Sequence, residues 1–275
     1  MGFNEIFDLL IIGLYLLGSM AYFAGILSQK SMLRRAGCVF AVSGFALHTV
    51  DLALLLFSMQ AGAFTAGNFY FSFLSWSILL IYFFLWWRLR IDFLALTASP
   101  VALVLFVTSI AARSIKVAMP KVLSGPFFGL HIGTIFICLG LLAMAFGAGI
   151  AFLYIDRMIK TKSPIKLFGK DMPSLDTFDK VNAIAVTAGF PLYTLGVISG
   201  FIWARMSFGT MFTWNAQEVA SLVIWFVYCF IFHQRVAIGW RGRKPAVMVI
   251  WLFVITVAVF AAINYFSPTH HSFRP

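Results

Sequence analysis

In 275 residues the chain carries 62% hydrophobic and only 11% charged side chains, with a mean hydropathy of +0.97. A soluble domain of that length has no interior large enough for so much apolar surface, so most of it must be solvated by lipid. The formal charge of +11 does not imply nucleic acid, because no stretch resembles a nucleic-acid module and the charge distribution has a simpler origin in membrane topology.

A crossing needs about 20 apolar residues, since the hydrocarbon core is roughly 30 Å thick and a helix rises 1.5 Å per residue. Eight segments satisfy this, at about 8–28, 36–58, 72–90, 93–112, 131–154, 181–203, 217–236 and 246–266. They are continuous apolar runs, unlike the short alternating strands of a membrane barrel, and backbone in lipid is satisfied only inside helices. The predicted fold is all-α: one polytopic bundle of about eight transmembrane helices, spanning residues 1–275 as a single domain.

The first segment is preceded by Glu5 and Asp8 rather than by positive charge, and no small-residue cleavage site follows, so it reads as a retained helix. The second holds His48 near its middle, with Asp51 three residues on and therefore on the same face. An intramembrane ionisable residue is a functional candidate, the ordinary alternative being a histidine bonded to a neighbouring helix. Cys38, Cys138 and Cys229 are isolated and fall within spans, with no CxxC or CxxCH, so they read as packing residues.

The fifth span is opened by His131. The connection between spans five and six, "DRMIKTKSPIKLFGKDMPSLDTFDK", is too short for a domain, and its Ser174 suits a helix N-terminus. Between spans six and seven, over 203–218, lie Trp203, Phe208, Phe212, Trp214 and Glu218. The seventh span ends near His233, and His270 and His271 follow the eighth.

Fifteen of the 20 basic residues fall in the connections 29–35, 88–92, 155–180 and 235–245, all on one side of an eight-helix bundle. That side is predicted to be cytoplasmic and both termini periplasmic. His131, the 203–218 loop and His271 then share the periplasmic side. Two readings stand for this group. In one, His131 and His271 are an axial imidazole pair for haem iron, with Trp203, Phe208, Phe212 and Trp214 covering the porphyrin faces. In the other, the aromatic residues are an interfacial belt and the histidines are idle. Glu218 fits both: a carboxylate beside the bilayer is costly unless used, yet an acid in a first helical turn also serves as a cap.

Three stretches together resemble the CcsA/HemX-type cytochrome c assembly proteins, a haem-handling superfamily with a tryptophan-rich periplasmic domain that also includes CcmC and CcmF. "NFYFSFLSWS" (68–77) is similar to the family's Asn-Leu-Tyr-Glu-Ser-Leu…Leu-Ser-Trp segment. "FGTMFTWNAQEVASLVIWFVYCFIFHQR" is similar to its tryptophan-rich signature and the helix after it, and "INYFSPTHHSF" to its closing Val-Asn…Leu-His-Ser-Tyr. Within the signature Gly209, Trp214 and Glu218 match. Phe208 and Phe212 stand at tryptophan positions, Asn215 at an aspartate, Ala216 and Gln217 at Pro-Lys, and Phe71 at a glutamate.

The resemblance implies cytochrome c biogenesis in the bacterial cytoplasmic membrane: haem b carried across the bilayer and presented to apocytochrome c, as a component of a holocytochrome c synthase. It implies His131 and His271 as outer ligands, and His233 as a ligand of an intramembrane haem completed by a histidine of a CcsB-type partner. His48 is the alternative source of that second ligand within the chain. A permanent haem-b or quinone-linked redox subunit and a HemX-like scaffold are the competing functions.

Overall fold

The computed structural model describes residues 3–59, 67–114, 125–163 and 173–266. It consists of eight long helices: α1 (Phe3–Leu27), α2 (Ser31–Met59), α3 (Gly67–Leu89), α4 (Ala95–Ala111), α5 (Pro126–Lys160), α6 (Leu175–Phe208), α7 (Ala216–Val236) and α8 (Arg243–Phe266). All eight are long and apolar enough to cross a membrane, and no strand occurs among the described residues.

Specific polar contacts tie neighbouring helices together. Ser19 of α1 bonds Ser99 of α4 at 2.8 Å, Ser75 of α3 bonds the Ala102 carbonyl of α4 at 2.8 Å, and Tyr228 of α7 bonds the Ala185 carbonyl of α6 at 2.6 Å. The bundle centre is filled by α3, α5 and the inner faces of α4 and α6, around Leu79, Leu142, Met144, Phe178 and Tyr193. A second, aromatic cluster lies where α3, α5 and α6 meet α2, built on Phe69, Tyr70, Phe128 and Trp203.

α5 and α6 extend furthest beyond the spans the sequence pattern suggested, and the reasons are local. Pro126 occupies the first turn of α5 after an extended Gly125, where its missing N–H costs nothing and its fixed φ is preorganised for helix. His131 therefore sits inside α5 rather than opening it. At the other end of the connection, the Ser174 side chain accepts from the Thr177 amide at 3.3 Å, so α6 starts well before its apolar stretch. α5 and α6, of 35 and 34 residues, are each about 50 Å long at 1.5 Å per residue, well beyond a hydrocarbon core of roughly 30 Å. α6 stops at Gly209, whose φ of 76° is left-handed and whose amide bonds the Arg205 carbonyl at 3.1 Å.

Further polar links, these with ionisable side chains, also join the helices. Arg113 pairs with Asp8 through both guanidinium nitrogens, at 2.6 and 2.8 Å, and ties the end of α4 to the start of α1. Arg235 of α7 grips Asp179 of α6 at 2.7 and 2.8 Å, and the same carboxylate accepts the Gly242 amide at 2.8 Å. His48 joins α1, α2 and α3, as described next.

Candidate functional site

The 209–215 turn lies at the end of the bundle where α1, α3, α5 and α7 begin. The turn is held by its own polar side chains. Asn215 caps α7, its Oδ1 accepting the Glu218 amide at 2.8 Å. The Glu218 carboxylate reaches back to accept the Thr213 amide at 2.7 Å, the Thr213 hydroxyl at 2.8 Å and Asn215 Nδ2 at 3.1 Å. The exchange satisfies the Glu218 amide, one of the donors a helix start leaves open, and its carboxylate closes the turn that precedes the cap. Thr210 accepts from the Phe212 amide at 3.1 Å and donates to its carbonyl at 2.7 Å, while Arg205 donates to the Gly209 carbonyl.

The product of this clasp is the placement of Trp214. Its φ is +58°, a left-handed conformation that a bulky side chain adopts only when its surroundings impose it, and its side chain is 77% exposed. Phe212 meets Trp214 edge-on at 4.5 Å and packs on Phe201 of α6 at 5.4 Å. Trp203 belongs to a different layer: it is buried, with Phe128 at 5.1 Å and Phe208 edge-on at 5.7 Å. It forms the wall under the turn rather than part of the exposed aromatic surface.

His131 is at the same end, one helix away. Its Nδ1 lies 2.7 Å from the carbonyl of Gly196 on α6. A carbonyl only accepts, so Nδ1 carries the proton and the Nε2 lone pair is left for a metal. Gly196 and Gly200 stand on the last turns of α6 before Phe201 and Trp203, which links the imidazole to the aromatic turn through one rigid helix.

The other histidines separate. His270 and His271 lie outside the described residues. His233 is exposed in the last turn of α7, at the opposite end of the bundle, and closes an outward stripe of Val219, Val223, Phe226 and Phe230. Among the described residues no hydrogen bond engages its ring, and no cluster of three metal-ligating side chains forms. His48 is fully buried, with Nδ1 2.9 Å from the Tyr15 hydroxyl, Nε2 2.8 Å from the Ser72 hydroxyl, and Phe106 edge-on at 4.6 Å. Both nitrogens are occupied, which is the ordinary inter-helix histidine that the sequence left open. Asp51, one turn on, is partly buried in the field of the Asp8–Arg113 pair.

Sequence reasoning missed the Gly196 carbonyl, since backbone acceptors carry no residue signature. It also missed the clasp, although Asn215 and Glu218 at a three-residue spacing form a capping-box pattern that was there to be read.

The residue types suit haem: an imidazole whose Nδ1 is engaged by a carbonyl, an apolar aromatic turn at the same end of the bundle, and the exposed cation Arg205 bonded to that turn. Residues 66–271 match the family described as cytochrome C assembly protein. The chain is 25% identical over 247 residues to the cytochrome c biogenesis protein CcsA of Guillardia theta, covering 82% of this chain and 81% of that one. It is 26% identical over 252 residues to CcsA of Prochlorococcus marinus, covering 80% and 79%. Over a shorter stretch of 111 residues it is 33% identical to CcsA of Gloeothece citriformis, covering 38% and 34%. α1 and α2 precede the matched region.

Proposed function

Since the chain belongs to the cytochrome c assembly protein family and so serves cytochrome c biogenesis, we propose that it carries haem b across the bacterial cytoplasmic membrane and presents it to apocytochrome c. In this reading the end bearing the 209–215 turn faces the periplasm, and the haem is cargo. His131 supplies one axial imidazole through Nε2 and His271 the other, and Phe212 and Trp214 cover the macrocycle. His233, on the opposite end, meets the haem on its way in, with the second ligand from a CcsB-type membrane partner. The chain's part in forming the thioether bonds is to hold and orient the cargo against the acceptor thiols.

The observation that carries this reading is Trp214. A large aromatic side chain held out of the bundle, on a strained backbone fixed by three bonds to Glu218, is costly as a mere membrane anchor. As a preorganised surface for a flat apolar ligand the strain has a use.

The test is the absorption spectrum of the purified full-length chain. A six-coordinate bis-imidazole spectrum is expected, with His131→Ala or His271→Ala opening one position that exogenous imidazole refills. Unaltered haem content and spectrum in the double variant would leave the aromatic turn as an interfacial belt.

A further inference from the structure

Two glycines of α6 stand against His131 and its neighbours on α5. Gly196 and Gly200 are one helical turn apart on the face turned to α5, and both are places where a side chain does not fit. A Cβ at Gly200 would fall 2.7 Å from His131 Nδ1 and 2.9 Å from Cε1. A Cβ at Gly196 would fall 2.6 Å from Ile135 Cδ1 and 3.0 Å from Thr134 Oγ1. By contrast Gly133, two residues from His131 on α5, has nothing within 4 Å of its would-be Cβ. The glycines near His131 are thus of two kinds, and only those across the helix interface are sterically required.

We propose that Gly196 and Gly200 form a seat in α6 that fixes both the tautomer and the direction of His131, making Nε2 its one free ligand atom. The inference rests on the proposal that His131 is an axial ligand, and it names what positions that ligand. Gly200 leaves the space that the Nδ1–Cε1 edge of the ring occupies. Gly196 lets α5 approach closely enough for its carbonyl to accept Nδ1–H at 2.7 Å, alongside Ser199 Oγ at 3.0 Å. A metal-bound histidine whose second nitrogen donates to a fixed acceptor is held in one orientation and is a better base toward the metal, and loss of such a partner typically weakens binding ten- to a hundred-fold. An acceptor on helix backbone has a further property: no rotamer change can withdraw it, so the seat is as rigid as the α5–α6 packing. Gly196 and Gly200 are positioning residues and touch no cargo themselves.

A purely structural role makes a different prediction. Small residues let membrane helices pack closely whatever they carry. In that case Gly200→Ala lowers stability while every molecule that remains folded binds haem normally.

The experiment loads full-length detergent-purified protein with hemin and compares wild type, Gly200→Ala, Gly133→Ala, His131→Ala and the double variant His131→Ala/Gly200→Ala. Only monodisperse material is scored, by haem retention, by the optical and electron paramagnetic resonance spectra, and by imidazole titration. Gly200→Ala is expected to lose roughly ten-fold or more in haem retention and to take on the spectrum of His131→Ala, with imidazole restoring it. Gly133→Ala should match wild type, and the double variant should be no worse than His131→Ala alone, because the two changes remove one interaction. A wild-type spectrum and retention in folded Gly200→Ala, or additive losses in the double variant, overturn the seat. If His131→Ala itself leaves the spectrum unchanged, the ligand assignment fails first and separately. Should Gly200→Ala not fold, the tautomer is read from wild type without haem: the nitrogen-15 signal that disappears in His131→Ala must show Nδ1 protonated and Nε2 bare. The reverse tautomer rejects the proposal.

Discussion

Glu218→Ala isolates what the aromatic turn costs to maintain. The carboxylate accepts three hydrogen bonds, from the Thr213 amide, the Thr213 hydroxyl and Asn215 Nδ2, at 2.7 to 3.1 Å. A bond to a charged acceptor contributes about 1.5–3 kcal/mol when shielded, and these lie at a solvated surface, so about 1 kcal/mol each is the appropriate scale. Against their sum stands the left-handed backbone of Trp214, which costs about 1–2 kcal/mol and persists only while the clasp imposes it. With Glu218 in place the closed turn therefore lies roughly 1–2 kcal/mol below the open one; without it the bonds, about 3 kcal/mol in all, are gone and the backbone cost leaves the closed turn about 1–2 kcal/mol above, a shift of roughly a hundred-fold in the open-to-closed ratio. The Asn215 cap survives the change, since its Oδ1 bonds the backbone amide of residue 218, so α7 stays intact. Hydrogen exchange at the Thr213 amide is the direct assay: it should accelerate by ten-fold or more while amides in the middle of α7 keep their protection. Haem retention should fall with it, because Phe212 and Trp214 are no longer held together. Unchanged exchange at Thr213, with haem lost all the same, would refute the clasp and assign Glu218 a direct contact with the cargo.

Three further outcomes follow from the same geometry. His48→Leu leaves the Tyr15 and Ser72 hydroxyls without their partner in a dry interior, at about 1–3 kcal/mol apiece, so the thermal midpoint of the purified protein should drop while its haem spectrum stays the same; a changed spectrum at full stability would make His48 a ligand. Asp179→Ala leaves Arg235 buried without its counter-ion and frees the Gly242 amide, a loss of about 3 kcal/mol that should appear as protease sensitivity in the turn between α7 and α8, and Arg235→Leu in the same chain should recover part of it. A cysteine placed at Ile165 should resist an impermeant thiol reagent in intact cells while one at Thr213 reacts, and the reverse pattern would invert the bundle and with it the periplasmic haem site.

The helices were legible because lipid imposes a single requirement, a long apolar run, that local composition meets or fails. Ser174 as a helix start was legible for the same kind of reason, since a cap is decided within four residues. What escaped the sequence depends on contacts between distant residues. Pro126 extends α5 past its apolar stretch, so the ring of His131 faces α6 one turn inside the helix instead of standing free at its mouth. Trp203 and Trp214 look equivalent in a list of aromatic residues, yet one is 5% exposed between Phe128 and Phe208 and the other 77% exposed on a strained turn. The difference lies in φ at residue 214 and in the end of α6 at Gly209, neither of which composition reports. His48 could not be separated from a ligand by its position in the membrane; Tyr15 and Ser72, on two other helices, decide its role.

The departures from the family signature take on a sharper meaning once the turn is seen. Asn215 stands at an aspartate position, and the loss of a charge there first suggests a weakened site. In this chain the work of residue 215 is to cap α7 by accepting the Glu218 amide at 2.8 Å, and asparagine caps as well as aspartate does. Asparagine also brings a donor that aspartate lacks, and Nδ2 spends it on the Glu218 carboxylate and on the Thr213 hydroxyl at 2.8 Å. Where aspartate would set two carboxylates against one another, asparagine adds a bond that closes the turn. Phe212 at a tryptophan position keeps an aromatic face against Trp214 at 4.5 Å while giving up the indole N–H. The substitutions therefore remove charge and the indole N–H from the exposed face of the turn, and leave intact the internal bonding that holds Trp214 out.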